Sequence, residues 1–196
     1  ACGTSVALEY VRATSRERGL GQSLMATVAE GHRQRIYLAL AEDQRAGAKV
    51  TKPESAPVGE LFDWPGRINV VRYGLTAFSD LFTNRQLLAL TTFSDLVMEA
   101  RERVLQDALA AGTSAGDRLE SGGTGAEAYA DAVATYLGLA QSRGSDRQSS
   151  VCSWDASPSK EQVRGVFARQ AIPMTWDFAE SNPFARSSGT WRESVD

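Results

Sequence analysis

The stretch Thr76 to Gly112, TAFSDLFTNRQLLALTTFSDLVMEARERVLQDALAAG, decides the fold. Thr83 is a good helix N-cap, and Gln86 three residues later completes a capping box of the T-x-x-Q kind. From there Leu87, Leu90, Phe93, Val97, Ala100, Val104 and Ala108 recur at steps of three or four, one apolar stripe on a 3.6-residue period. No proline or glycine interrupts the run before Gly112, which suits the position just past a helix end. The pattern predicts one helix over about 84–111, about 28 residues and roughly 42 Å long. A rod of that length spans a small domain, and other elements must cover its stripe.

The flanking sequence supplies a small β portion. Val6, Leu8 and Tyr10 alternate within 1–12 and read as a strand. Leu24 to Ala29 and Ile36 to Leu40 read as two more, joined by the loop Glu30-Gly31-His32-Arg33-Gln34. The expectation is a three-stranded antiparallel meander with His32, the only histidine, at a hairpin tip. Glu42 to Lys49 reads as a short helical turn. Thr51 to Gly66 holds Pro53, Pro57 and Pro65-Gly66, a linker signature, with Phe62 and Trp64 expected to pin it to the core. The fold class is therefore α+β, mainly helical, built on the long helix with a small N-terminal antiparallel sheet. The portions are 1–50 (β-meander), 51–75 (linker) and 76–196 (helical).

Two more helices are expected. Thr124 and Glu127 form a second capping box, ahead of a face made by Ala126, Tyr129, Ala130, Val133, Tyr136, Leu137 and Ala140. Ser157 with Pro158 at the first helical position marks another start, with Val163, Val166 and Phe167 as its buried side. Ser149 to Trp154 between them is a short strand candidate. The Gly/Ser-rich segment 113–125 is expected to be mobile.

At 196 residues the chain is long enough to bury about 70% of its unfolded surface. Its 42% hydrophobic and 23% charged residues are those of a globular protein. No apolar run approaches membrane-spanning length, so no membrane partner is expected. The opening residues lack the basic and apolar regions of a signal peptide. Cys2 and Cys152 are too far apart to suggest a disulfide framework, which makes a reducing cytoplasm the expected setting. A net charge of −3 gives no global basic footprint for nucleic acid.

Motifs that carry chemistry are few. Gly112-Thr113-Ser114-Ala115-Gly116 matches G-x-S-x-G, but a helix precedes it where a nucleophile elbow needs a strand. Gly123-Thr124-Gly125-Ala126-Glu127-Ala128 matches G-x-G-x-x-A, again without the strand that a dinucleotide fingerprint requires. The amides of Thr124, Gly125 and Ala126 at this helix start are candidate phosphate contacts, set against plain capping. Arg143, Arg147, Lys160, Arg164 and Arg169 form the densest basic cluster, readable as a solvated face or as a phosphate-contacting patch. The tail sets Pro173, Trp176, Phe178, Pro183, Phe184 and Trp191 among acids and amides, an aromatic plug to close the domain.

Three strings carry a resemblance: RYGLTAFSDLFTNRQLLALTTFSDL (Arg72 to Leu96), GGTGAEAYADAVA (Gly122 to Ala134) and ARQAIPMTWDFAESNPF (Ala168 to Phe184). The first resembles a signature of a family of large adenine-specific DNA methyltransferases with an internal zinc ribbon, and the other two look like the same family. The resemblance covers nearly the whole chain and implies an internal piece of a longer protein that transfers a methyl group to adenine N6. It implies S-adenosylmethionine and zinc as cofactors of the parent, with none expected in this piece. Cys2-Gly3 is similar to the last knuckle of the zinc ribbon, so Cys2 is a candidate remnant of a zinc site. A lone cysteine cannot complete a tetrahedral site.

Asn182-Pro183-Phe184 is similar to the N-P-P-F tetrapeptide that holds the target amine in amino-methyltransferases, which makes Asn182 the candidate catalytic residue. The second proline is missing, and the family's own tetrapeptide lies further downstream. The family's D-P-F-x-G-x-G cofactor loop is also missing. The implied role is a non-catalytic insert, structural or DNA-positioning, with the remainder of its own polypeptide and DNA as partners. The alternative is a protein-interaction module with no nucleic-acid contact.

Overall fold

The computed structural model describes residues 4–187 and 190–195. The fold is α+β and mainly helical, with one long helix and a small antiparallel sheet near the N-terminus. In chain order the elements are α1 (Leu8–Arg18), β1 (Ala26–Gly31), β2 (Gln34–Ala39), α2 (Glu42–Gly47), α3 (Asn84–Ala110), α4 (Ala126–Ser145), β3 (Ser153–Asp155), β4 (Gln162–Arg164) and α5 (Trp191–Val195). Short 3-10 turns lie at 69–73, 78–81, 119–121 and 166–168. The residues group into two compact units: 1–87 with 149–180, and 88–148 with 181–196.

The long helix starts and stops where its local sequence says. Thr83 N–H donates to Gln86 Oε1 (2.9 Å), and Gln86 N–H donates to Thr83 Oγ1 (3.1 Å). At the other end Gly112 has φ 87°. Its N–H donates to Leu109 O, and the Thr113 N–H reaches back to Ala108 O, both at 3.0 Å. This is the paired closure of a Schellman motif, which glycine permits because it lacks a Cβ. Along the stripe Leu87 and Phe93 are buried and the others half-buried, with Leu105 as an additional buried residue. Thr83 is itself buried, so Thr83→Ala is expected to cost about 1 kcal/mol of stability. Urea denaturation followed by circular dichroism measures that loss; an unchanged midpoint would contradict the cap.

In the first unit the expected first strand is a helix. Residues 4–7 are extended, and α1 then runs from Leu8 to Arg18 through Glu9, Arg12, Ala13, Arg16 and Glu17, all good helix formers. Three alternating apolar positions could not outweigh that propensity, and Val6, Leu8 and Tyr10 are exposed. The helix ends at Gly19, φ 74°. Its buried Ser15 lies against the 69–73 turn at Gly74, where an added Cβ would come within 3.2 Å of Ser15 O. The meander is thus a two-stranded hairpin: β1 pairs antiparallel with β2 from Ala26↔Ala39 to Gly31↔Gln34. His32 and Arg33 form its turn, with Arg33 at φ 58°. His32 is exposed at the tip.

The helix expected after Ser157 also does not form. Asp155 Oδ1 accepts both the Ser157 N–H (3.1 Å) and the Ser157 hydroxyl (2.7 Å). Past Ser157 the chain closes a single turn, with the Lys160 and Glu161 N–H groups on Ser157 O at 2.9 and 3.0 Å. The chain reverses through Glu161, φ 38°, into β4, which pairs antiparallel with β3. Val163 and Val166 are half-buried and Phe167 is exposed. Phe62 and Trp64 are not pinned to the core either: both are exposed, edge-to-face with centroids 6.4 Å apart. Val70, Tyr73, Leu87, Val151 and Cys152 are buried in this unit. Arg85 ties together three segments, donating from Nε to Glu180 Oε2 (3.0 Å) and from Nη1 to Ala48 O (2.7 Å).

In the second unit, Leu105 of α3 packs with Ala126 and Ala130 of α4, and Val104 and Ala108 lie against this cluster. Phe93 stacks on Trp191 (4.7 Å, 10° between planes) and touches Phe184 at 5.6 Å. Tyr129 and Tyr136, expected on the covered face of α4, are exposed. The buried residues of that helix are small: Ala126, Ala128, Ala130, Ala140 and Gly144, together with Asp131.

Candidate functional site

The helix start at Thr124, Gly125 and Ala126 is built differently from the capping box that its sequence suggests. Gly125 is the N-cap residue at φ 99°, and no side chain caps the helix. The Ala126 N–H donates to Ser114 O (2.8 Å) and the Glu127 N–H to Ala115 O (3.0 Å). Loop carbonyls therefore hold the amides that a bound phosphate would need from these two residues. The loop expected to be mobile is knitted by its own backbone: Gly122 N–H donates to Leu119 O (2.9 Å) and Gly123 N–H to Arg118 O (3.1 Å). Its glycines allow close approach. A Cβ on Gly116 would lie 1.6 Å from Thr124 O, and one on Gly123 2.1 Å from Asp117 O.

Under this loop sits a charged group that the sequence did not reveal. Asp131 of α4, 9% exposed, accepts Arg101 Nε on Oδ1 (2.7 Å) and Arg118 Nε on Oδ2 (2.6 Å). Its Oδ2 also accepts the Leu119 N–H (3.1 Å). Arg101 Nη2 donates to Glu127 Oε2 at 2.6 Å. The Arg118 guanidinium, followed by Arg101 and the Leu119 amide, holds the Asp131 carboxyl at about 2, below its ordinary 3.8. Asp131 and Glu127 in turn raise Arg101. Glu127 and Asp131 stand four apart on α4, which is a surface pattern in sequence; only the fold brings Arg101 and Arg118 to it. The group joins α3, the loop and α4, the work of a structural clamp.

A carboxylate with a depressed folded-state pKa contributes stability above its unfolded pKa, and that contribution disappears as pH falls through the folded value. The second unit is therefore expected to lose stability as pH drops from about 4 to about 2. Acid titrations of wild type and Asp131→Asn by circular dichroism test this. The variant should show a flatter profile in that window, and identical profiles would contradict the clamp.

The five basic residues do not form one cluster within either unit. Arg143, in the last turn of α4, and Arg147 just after it belong to the second unit, whereas Lys160, Arg164 and Arg169 belong to the first. Lys160 Nζ lies 3.7 Å from Asp155 Oδ2. Asp155 is held below its ordinary value by the Ser157 hydroxyl and amide, with help from Lys160 and Arg164. Arg164 is exposed on β4, and Arg169 is exposed beyond the 166–168 turn.

Asn182 is exposed, and its Oδ1 accepts the Phe184 N–H at 3.0 Å in a local turn. That oxygen is the atom that would receive an exocyclic amine. The aromatic tail is only partly a plug, because Phe184 and Trp176 are exposed.

Cys2 lies outside the described residues. Among the described residues no group of three His, Cys, Asp or Glu side chains is placed to hold a metal. Cys152 is buried, with Ser149 Oγ 3.3 Å from its sulfur. The Gly123–Ala128 string follows a 3-10 turn and a loop instead of a strand, so it is not the strand-to-helix crossing that a nucleotide-type cofactor uses. No described helix is long and apolar enough to cross a membrane. Comparison with protein-family models, with curated proteins and with solved structures finds no match for this chain.

Proposed function

We propose that this chain is a non-catalytic module of a larger S-adenosylmethionine-dependent DNA adenine-N6 methyltransferase. Its role in this proposal is structural: it docks onto the remainder of its own polypeptide. The observation that carries the docking role is the apolar surface left uncovered. In the first unit Met25, Val58, Phe62, Trp64 and Phe167 are exposed, and in the second Met98, Tyr136, Leu139 and Phe184. A contiguous apolar patch marks an interaction surface, and Phe62 and Trp64, both exposed and edge-to-face at 6.4 Å, lie side by side. The methyltransferase assignment rests on the three resembling strings. The cofactor and the zinc belong, in this proposal, to other parts of the parent.

Calorimetry with S-adenosylmethionine and with duplex DNA separates the alternatives. The chain alone is expected to bind neither, and the longer protein both. Duplex binding by the chain that weakens steeply with salt would replace docking with DNA positioning. Cofactor binding by the chain alone would overturn the non-catalytic assignment.

A further inference from the structure

The first unit contains a cleft of about 90 Å³ whose lining includes Asp80, Ser150, Met174, Thr175, Trp176 and Phe178. Its size excludes most cofactors, whose pockets run to several hundred Å³, and suits the end of a single side chain. Its one charged group is Asp80, set among the Ser150 and Thr175 hydroxyls, the Gln22 amide and the Trp176 indole, of which the last two also carry N–H donors. Asp80 is a carboxylate whose Oδ2 takes the N–H groups of Thr76 (2.9 Å) and Ala77 (2.8 Å). The Ser150 hydroxyl donates its proton to Leu81 O (3.0 Å), and the Thr175 hydroxyl donates to Val151 O (3.2 Å). Both hydroxyl oxygens are left with lone pairs alone to offer.

The apolar walls combine Trp176, Phe178 and Met174 with the aliphatic Leu20, Leu75 and Val151, rings that attract a cation and surfaces that pack an aliphatic stem. The same aromatic group already holds one guanidinium. Trp176 packs edge-to-face on Tyr73 at 5.3 Å, and Arg12 Cζ lies 5.6 Å from the Tyr73 ring centroid. Lys52 Nζ donates to Ser79 Oγ at 2.7 Å, one residue before Asp80 in the chain.

We infer that this cleft is a receptor for a lysine or arginine side chain presented by a docking polypeptide segment. Asp80 supplies the counter-charge and Trp176 the cation–π wall. The inference concerns the chemistry of the cleft and does not rest on the methyltransferase assignment.

Titration of the full chain with n-butylguanidinium, n-butylammonium and the neutral n-butanol, followed by amide chemical shifts, tests it. The two cations are expected to produce saturable shifts at Asp80 and at Thr175 to Phe178, and n-butanol none. Asp80→Asn keeps an oxygen for the two amides while removing the charge, and should weaken cation binding by about tenfold. Trp176→Leu, at an exposed position, should weaken it as well and serves if Asp80→Asn disturbs the fold. Equal shifts with n-butanol, no shifts with either cation, or undiminished binding by a well-folded Asp80→Asn would each overturn the inference.

Discussion

Gly116→Ala is expected to destabilise the second unit by about 3 kcal/mol or more. Gly116 sits at φ 64°, and an added Cβ would lie 1.6 Å from Thr124 O, a backbone atom that cannot rotate away. Alanine would both strain its own backbone and push the loop off the start of α4. The contacts at risk are the Ser114 and Ala115 carbonyls that hold the Ala126 and Glu127 amides. Gly138→Ala is the matching control, because no atom lies within 4 Å of its added Cβ and it sits inside α4. There alanine should stabilise by about 0.5–1 kcal/mol through helix propensity. Urea unfolding of both variants measures the difference. Similar effects from the two would mean that the loop does not pack as described.

Leu105→Ala is expected to cost about 3 kcal/mol. Leu105 is 8% exposed and is the one large side chain among the three buried members of its cluster, the others being Ala126 and Ala130. Alanine neighbours cannot extend to fill the space, so the transfer loss is compounded by a cavity. Met98→Ala on the same helix should change stability by less than about 0.5 kcal/mol, since Met98 is 63% exposed. A loss below about 1 kcal/mol for Leu105→Ala would place the core of this unit elsewhere.

What could be read in the sequence was what local chemistry settles. Thr83, Gln86 and Gly112 set the ends of α3 through contacts within four or five residues, and the turn at His32-Arg33 joins the hairpin where its two apolar runs meet. Where two local signals competed, the reading failed. Residues 8–18 alternate briefly but are stronger helix formers, and after the Ser157-Pro158 start signal the chain closes one turn and reverses at Glu161.

Gly116, Gly123 and Gly125 look like flexibility in composition and prove to be points of close backbone approach. The Asp131 group could not be seen, because its partners come from positions 101, 118 and 127 and meet only through the packing of α3 against α4. The five basic candidates are divided between the units in the same way. Closeness in sequence, as for Arg147 and Lys160, does not place residues in one unit.

The central claim is that the exposed apolar residues are a covered surface in the longer protein. Hydroxyl-radical footprinting of Phe62, Trp64, Phe167 and Phe184, in this chain alone and within that protein, tests it most directly. Ready oxidation of all four is expected in the chain alone, and strong protection of most of them in the longer protein. Equal oxidation in both would contradict docking and leave these side chains as ordinary surface.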